Sequence, residues 1–305
     1  MRKISRTATG KLRKRHQGIF NPEHPAPYEL SRGRIENFVS CPVCFWLEQK
    51  AGVEFPSIPG FNLNTNTDIL LKRDFDAYRG ADVAQTHPLL TENNLAHIFP
   101  FDHPDLDKWT DSMRFGASEN HFNTIHEESN ILFGGGLDDC YENRETGELH
   151  IVDYKSTAQL ASEENIKTLD ESFLLPPKNL REPDYKAAYR RQMDMYQWIM
   201  RRKMPDKKVS DIGYFVYVDG QHHGLKGMID IANPSKANME FNVAVIPYKA
   251  DDSWVEQALV DAKRLLLSEE CPSLMHSTSD KVQFILDVKK ALGWSTSQEM
   301  QQQQQ

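Results

Sequence analysis

The chain has 305 residues, of which 39% are apolar and 26% charged, the balance of a soluble globular protein. No apolar run approaches bilayer length and the N-terminus lacks the apolar core of a secretory signal, so no membrane span and a cytoplasmic location are expected. A net charge of −8 does not suggest a nucleic-acid binder, but the charge is unevenly placed.

The first sixteen residues, "MRKISRTATGKLRKRH", hold seven basic residues and no acid. Too few apolar groups are present to offset the entropy of ordering, so residues 1–27 are expected to be a basic, disordered arm with phosphate binding as its functional option. "SRGRIENFVSCPVCFWLEQKAG" predicts a helix capped by Ser31, with Ile35, Phe38 and Val39 as its apolar stripe. Within it, Cys41 and Cys44 have the CxxC spacing of metal or redox chemistry. A second CxxC is missing, and packing thiols are the expectation. "NTDILLKRDFDAYRG" predicts another helix with Ile69, Leu70, Phe75 and Tyr78 inward, and residues 86–130 give no clear pattern.

"FGGGLDDCYENRETGELHIVDYKST" (133–157) then reads as two strands around a turn. A helix follows in "EPDYKAAYRRQMDMYQWIMRRKM", then strands "DIGYFVYVD" and "EFNVAVIPY" around a loop with His222 and His223. Those two rings are expected to point apart and not to chelate. Helices in "DSWVEQALVDAKRLLLSE" and "SDKVQFILDVKKALG" close the pattern, and 294–305 is a Gln-rich tail expected to be disordered. Central strands with helices on either side in sequence imply an α/β fold over 28–293, a mixed central β-sheet flanked by helices.

Strand alternation puts Ile151, Asp153 and Lys155 on one face and Val152 and Tyr154 on the other. Asp138, across the turn, can reach the Asp153 face. Two carboxylates brought together repel unless a cation lies between them, and a hard divalent ion, Mg²⁺ or Mn²⁺, suits oxygen ligands. The backbone carbonyl of Tyr154 is a further candidate ligand. Lys155 is then placed to orient or deprotonate water, or to neutralise charge growing on a phosphate. Gly134 to Gly136 would let the backbone, or a substrate, come close. On the later helix Gln192 and Tyr196 share a face, with Tyr189 one turn earlier, and could bond a phosphate or position Lys155. Arg190 and Arg191, with Arg201 and Arg202, make that helix basic and suit contact with a nucleic-acid backbone.

"GGLD", "IVDYK" and "QMDMY", in this order, resemble the G-x-x-D, D-x-K and Q-x-x-x-Y motifs of the PD-(D/E)xK nuclease superfamily, in its RecB-like exonuclease branch. The upstream Ser-led segment running into Cys-Pro and an aromatic is similar too, so the likeness covers roughly residues 31–200. The resemblance implies a restriction-endonuclease-like core and Mg²⁺- or Mn²⁺-dependent hydrolysis of DNA phosphodiesters, in repair, recombination or phage DNA processing. Asp138 and Asp153 would be metal ligands, Lys155 the catalytic lysine, and Gln192 and Tyr196 the supporting pair. Leu137 fits the apolar position before the acid, which selects Asp138 and turns Asp139 the other way. DNA is the implied partner, and a helicase or recombination protein would be a separate chain. The alternative is a non-catalytic nucleic-acid-binding or scaffold protein that keeps the fold. Many relatives complete the metal site with an upstream His or Glu. Asp68, Asp74, His126 and Glu127 are candidates here, each read as a surface residue. Some relatives hold an iron–sulfur cluster on one early and three late cysteines. The reverse balance here, Cys41 and Cys44 early, Cys140 in the hairpin and Cys271 late, argues against one.

Overall fold

Asn143 organises the turn on which the central sheet is built. Its side-chain oxygen accepts the N–H groups of Glu145 (2.9 Å) and Thr146 (3.2 Å), and Gly147 closes the turn at a φ of 74° that disfavours other residues. The turn joins β5 (Asp139–Asn143) to β6 (Leu149–Thr157) as an antiparallel pair. A computed structural model describes residues 16–56, 60–113, 117–159, 163, 166–179, 184–223, 227–273 and 281–293. The chain forms two compact units, one of Pro59–Thr124 and Gly134–Val255, the other of Met1–Ile58, Ile125–Phe133 and Glu256–Gln305.

The first unit holds a five-stranded sheet in the order β2 (Ile98–Pro100), β5, β6, β7 (Ile212–Gly220), β8 (Phe241–Lys249). Only β6 and β7 run parallel, so the sheet is mixed, flanked by helices, and the architecture is α/β. A parallel neighbour needs a crossover, and α7 (Ala187–Lys203) lies in it. Gly213 lets α7 press onto β7, since a Cβ there would stand 2.4 Å from the Met193 sulfur. α3 (Asn62–Asp76) contributes Leu71 and Phe75 to a core with Val152, Tyr154, Tyr214, Val216 and Val218. The helix is turned from its expected phase. Ile69 and Leu70 remain 45% and 56% exposed, while Leu71 and Phe75, four apart, face inward. Within residues 86–130, which show no clear sequence pattern, lie α4 (Pro88–Glu92), β2 and α5 (Leu106–Trp109). α6 (Glu171–Leu174) precedes α7.

β1 (Tyr28–Ser31), β4 (Ile131–Gly134) and β3 (Asn123–His126) form a three-stranded sheet in the order β1-β4-β3. The helix expected from Ser31 onward is broken. α1 (Arg32–Ser40) stops at Cys41, α2 (Pro42–Trp46) follows, and Leu47–Ala51 winds as a π-helix. Cys41 is extended, at φ −152° and ψ 81°, because the Pro42 ring clashes with a helical residue before it. Ser31 occupies the N-cap position but its side chain makes no capping bond. Cys41 and Cys44 are bonded to each other, not independent packing thiols, because one helical turn from Pro42 brings position 44 back to position 41. Residues 16–27, expected to belong to the disordered arm, are packed. His16, Phe20 and His24 are buried, with His16 stacked on His24 at 4.5 Å. α8 (Val255–Leu267) and α9 (Lys281–Ala291) complete the elements, while residues 1–15 and 294–305 lie outside the described set. No helix among the described residues is long and apolar enough to cross a membrane.

Candidate active site

β6 is buried on both faces from Leu149 to Tyr154, yet it carries Asp153 and then Lys155. The Asp153 carboxylate is 1% exposed and has two partners: the Gln192 amide donates to Oδ1 at 2.6 Å, and the Lys155 ammonium rests on Oδ2. Lys155 Nζ also lies 3.3 Å from the Tyr154 carbonyl and 3.9 Å from Asp138 Oδ2. Asp138, one residue before β5, is fixed by the Tyr154 backbone N–H, which donates to Oδ2 at 3.1 Å. Three oxygens from Asp138, Asp153 and Tyr154 thus converge on one ammonium.

The charges strain against one another. Although 35% of the Asp138 side chain stays open to solvent, the protein packed around it, and then the charge of Asp153, push its carboxyl well above the ordinary range. Lys155 pulls the other way and loses. Burial likewise opposes the Lys155 charge, but Asp153 and Asp138 outweigh it and hold the ammonium above its usual pKa. Asp68 was read as a surface residue. It is half-buried on α3, three positions before Leu71, and burial raises its carboxyl, with Lys155 and then Asp153 as the charges that it feels. Asp74 and Glu127 are exposed, and the buried His126 is engaged by Ser129 and Glu256 at 2.7 Å each.

Gln192 and Tyr196 brace protein groups. Gln192 fixes Asp153, and the Tyr196 hydroxyl donates to the Gly136 carbonyl at 2.6 Å. What approaches the triple glycine is also protein. A Cβ on Gly135 would meet the Tyr196 ring at 2.8 Å, one on Gly134 would meet Phe122 O and Asn123 at 2.5 Å, and one on Gly136 would meet Thr110 O at 3.0 Å. No family model and no curated protein matches the chain. The site is therefore read from its geometry.

Asp139 faces away, with Val152 and Tyr154. There Arg79 holds both its oxygens at 3.0 Å, the Tyr154 hydroxyl donates to Oδ2 at 2.7 Å, and the Cys140 N–H to Oδ1 at 2.8 Å. Tyr154 is thus gripped on both faces of the sheet, by Asp139 through its hydroxyl and by Asp138 through its N–H. The arginines of α7 are spoken for: Arg190 binds Asp184 and the Leu174 carbonyl, Arg201 binds Asp211 and Asp252, and Arg202 lies 3.6 Å over the Trp198 ring. Arg191 is half-buried and likewise not free. His222 and His223 do not point apart, since their rings lie 3.9 Å from each other.

Among the described residues no three His, Cys, Asp or Glu side chains gather into a ready metal cage. The oxygens on Lys155 nevertheless suit Mg²⁺ or Mn²⁺. They are hard donors, two of them carboxylic oxygens held close together, and such ions keep several waters in place of protein ligands. Cys140, fully buried with its thiol pushed up by that burial, adds no thiolate.

Proposed function

We propose that the chain is a metal-dependent DNA nuclease of the PD-(D/E)xK type, RecB-like, with a restriction-endonuclease-like core. One observation carries the reading: the Asp138 and Asp153 carboxylates and the Tyr154 carbonyl share a single cation on a face braced by Gln192. Asp138, Asp153 and the Tyr154 carbonyl would hold Mg²⁺ or Mn²⁺, with Asp68 as the upstream acid. The ion would supply Lewis acidity and a more acidic bound water. Lys155 orients the attacking water and offsets charge on the scissile phosphate. Gln192 keeps the Asp153 lone pairs aimed, and Tyr196 clamps the glycine segment that leads into Asp138.

Incubation with linear and closed-circular DNA tests the proposal. Degradation in Mg²⁺ or Mn²⁺ that stops in EDTA is the expected result, and cutting of closed circles would exclude a purely exonucleolytic enzyme. The second reading, a non-catalytic nucleic-acid-binding scaffold, is favoured by the lack of a ready three-residue cage among the described side chains. It predicts DNA binding with no product under any divalent ion.

Asp138→Asn separates site from scaffold. Because the folded carboxyl titrates above its unfolded value, the ionised form costs stability at pH values above that raised pKa, and the cost fades as pH falls through it. The variant is expected to melt higher than the metal-free wild type at neutral pH, by a few degrees for each kcal/mol recovered. It should lose divalent-ion binding by calorimetry. In the wild type that binding should strengthen with rising pH and release a proton into the buffer. A variant that melts lower and binds metal normally would remove Asp138 from the site.

A further inference from the structure

Lys186, just before α7, is a cation without a counter-ion. Its ammonium lies over the rings of Phe173 (4.3 Å to the centroid), Tyr217 (5.3 Å) and Tyr189 (5.4 Å). It is half-buried, and no carboxylate among the described residues pairs with it. Ring faces return about 0.5–2 kcal/mol to an ammonium, less than the several kcal/mol that desolvating an unpaired ion can cost. Burial, and then the neighbouring charge of Lys167, accordingly hold its pKa below the usual value. An anion at this point would remove that deficit.

A second polar group at the same place also lacks a partner. Tyr217 is 1% exposed and its buried hydroxyl finds no hydrogen-bond partner among the described residues. The parallel register of β6 and β7 sets Tyr217 beside Lys155, on the face that carries Asp153. The Tyr189 ring links the two lysines, with Lys155 Nζ 5.2 Å and Lys186 Nζ 5.4 Å from its centroid. The Tyr189 ring thus borders both ammoniums, that of Lys155 beside the Asp138–Asp153 pair and that of Lys186 over the Phe173 and Tyr217 rings.

We propose that Lys186 and the Tyr217 hydroxyl form a second anion site, which holds the phosphodiester adjoining the one cleaved at Asp138, Asp153 and Lys155. The identity of the anion rests on the nuclease reading. Lys186 pairs with the phosphate, the Tyr217 hydroxyl donates to one of its oxygens, and Lys167 adds positive field nearby. This site takes the strand contact that the sequence assigned to Arg190, whose guanidinium is held by Asp184.

The test compares the full-length wild type with Lys186→Met, which keeps an unbranched stem against the rings, and with Tyr217→Phe, which removes only the hydroxyl. Anisotropy of a fluorescent single-stranded oligodeoxynucleotide is measured in EDTA, without turnover, across a salt series, with melting curves alongside. Lys186→Met is expected to bind about five- to tenfold more weakly and to reduce the slope of log affinity against log salt by about one, without a lower melting temperature. Tyr217→Phe should weaken binding about two- to fivefold at an unchanged slope. Equal binding by wild type and Lys186→Met, an unchanged slope for that variant, or no binding by the wild type overturns the proposal. A wild type that binds the oligonucleotide through Lys186 but hydrolyses no diester upholds the anion site and sinks the nuclease reading.

Discussion

Lys155→Ala is expected to lower Mg²⁺-dependent DNA cleavage by about two to four orders of magnitude while leaving the protein folded. The ammonium rests on Asp153, lies 3.9 Å from Asp138 and is held charged by both, so on the nuclease reading it is the cation placed to steady an attacking water. The same geometry makes a less obvious claim. Lys155 competes with any divalent ion for the Asp153, Asp138 and Tyr154 oxygens. Without it the two carboxylates face each other with no ammonium between them, and a proton or a metal ion must relieve the repulsion. The variant should therefore melt below the wild type in EDTA and gain more stability than the wild type when Mg²⁺ or Mn²⁺ is added. A loss of cleavage together with a loss of metal-induced stabilisation would mean that Lys155 builds the site and does not act in it. Undiminished cleavage would end the nuclease assignment.

How much of this was legible in the sequence depended on the range of the interaction that decides each feature. The alternation in "HIVDYKS" is local, and the strand follows it, with Asp153 and Lys155 on one face and Tyr154 on the other. The Asp138–Asp139 division was legible for the same reason. The phase of α3 was not. Ile69, Leu70 and Leu71 are consecutive apolar residues, each turned about 100° from the last, so the helix could present any of them. Packing of Phe75 with Tyr141 and Tyr154 selects Leu71. That choice brings Asp68 toward Lys155, and for that reason Asp68 looked like a surface residue. The break at Cys41 had a local signal in Pro42, outweighed by the apolar stripe continuing across it. The basic face of α7 was legible but its ion pairs were not, because Asp184, Asp211 and Asp252, which pair with Arg190 and Arg201, carry no periodic mark.

The largest stability effect is expected away from the reacting face, at Arg79→Ala, with a loss of about 3–5 kcal/mol. Asp139 is fully buried, and burial raises its carboxyl even with Arg79, Tyr154 and the Cys140 N–H in place. Removing the guanidinium leaves a charge with one hydroxyl and one N–H in an apolar setting. It also frees the Phe101 carbonyl and Asp76, which Arg79 binds as well. The sign with pH follows. Without Arg79 the folded pKa of Asp139 rises further above its unfolded value, so the deficit is full above that raised pKa and shrinks as pH falls through it. Arg79→Ala with Asp139→Asn should recover most of the loss, because the amide still pairs with the Tyr154 hydroxyl and needs no cation. Equilibrium denaturation of the two single variants and the double variant closes the cycle. Equal destabilisation by Arg79→Ala across the acidic range, or no recovery in the double variant, would show that the pair is not the unit that matters. Tyr154 ties the result to function. Its hydroxyl is held by Asp139 and its N–H by Asp138, so an Asp139 left without its cation disturbs the residue whose backbone sets the carboxylate on the other face. Arg79→Ala should therefore also weaken divalent-ion binding, although its guanidinium lies on the far side of the sheet from Lys155.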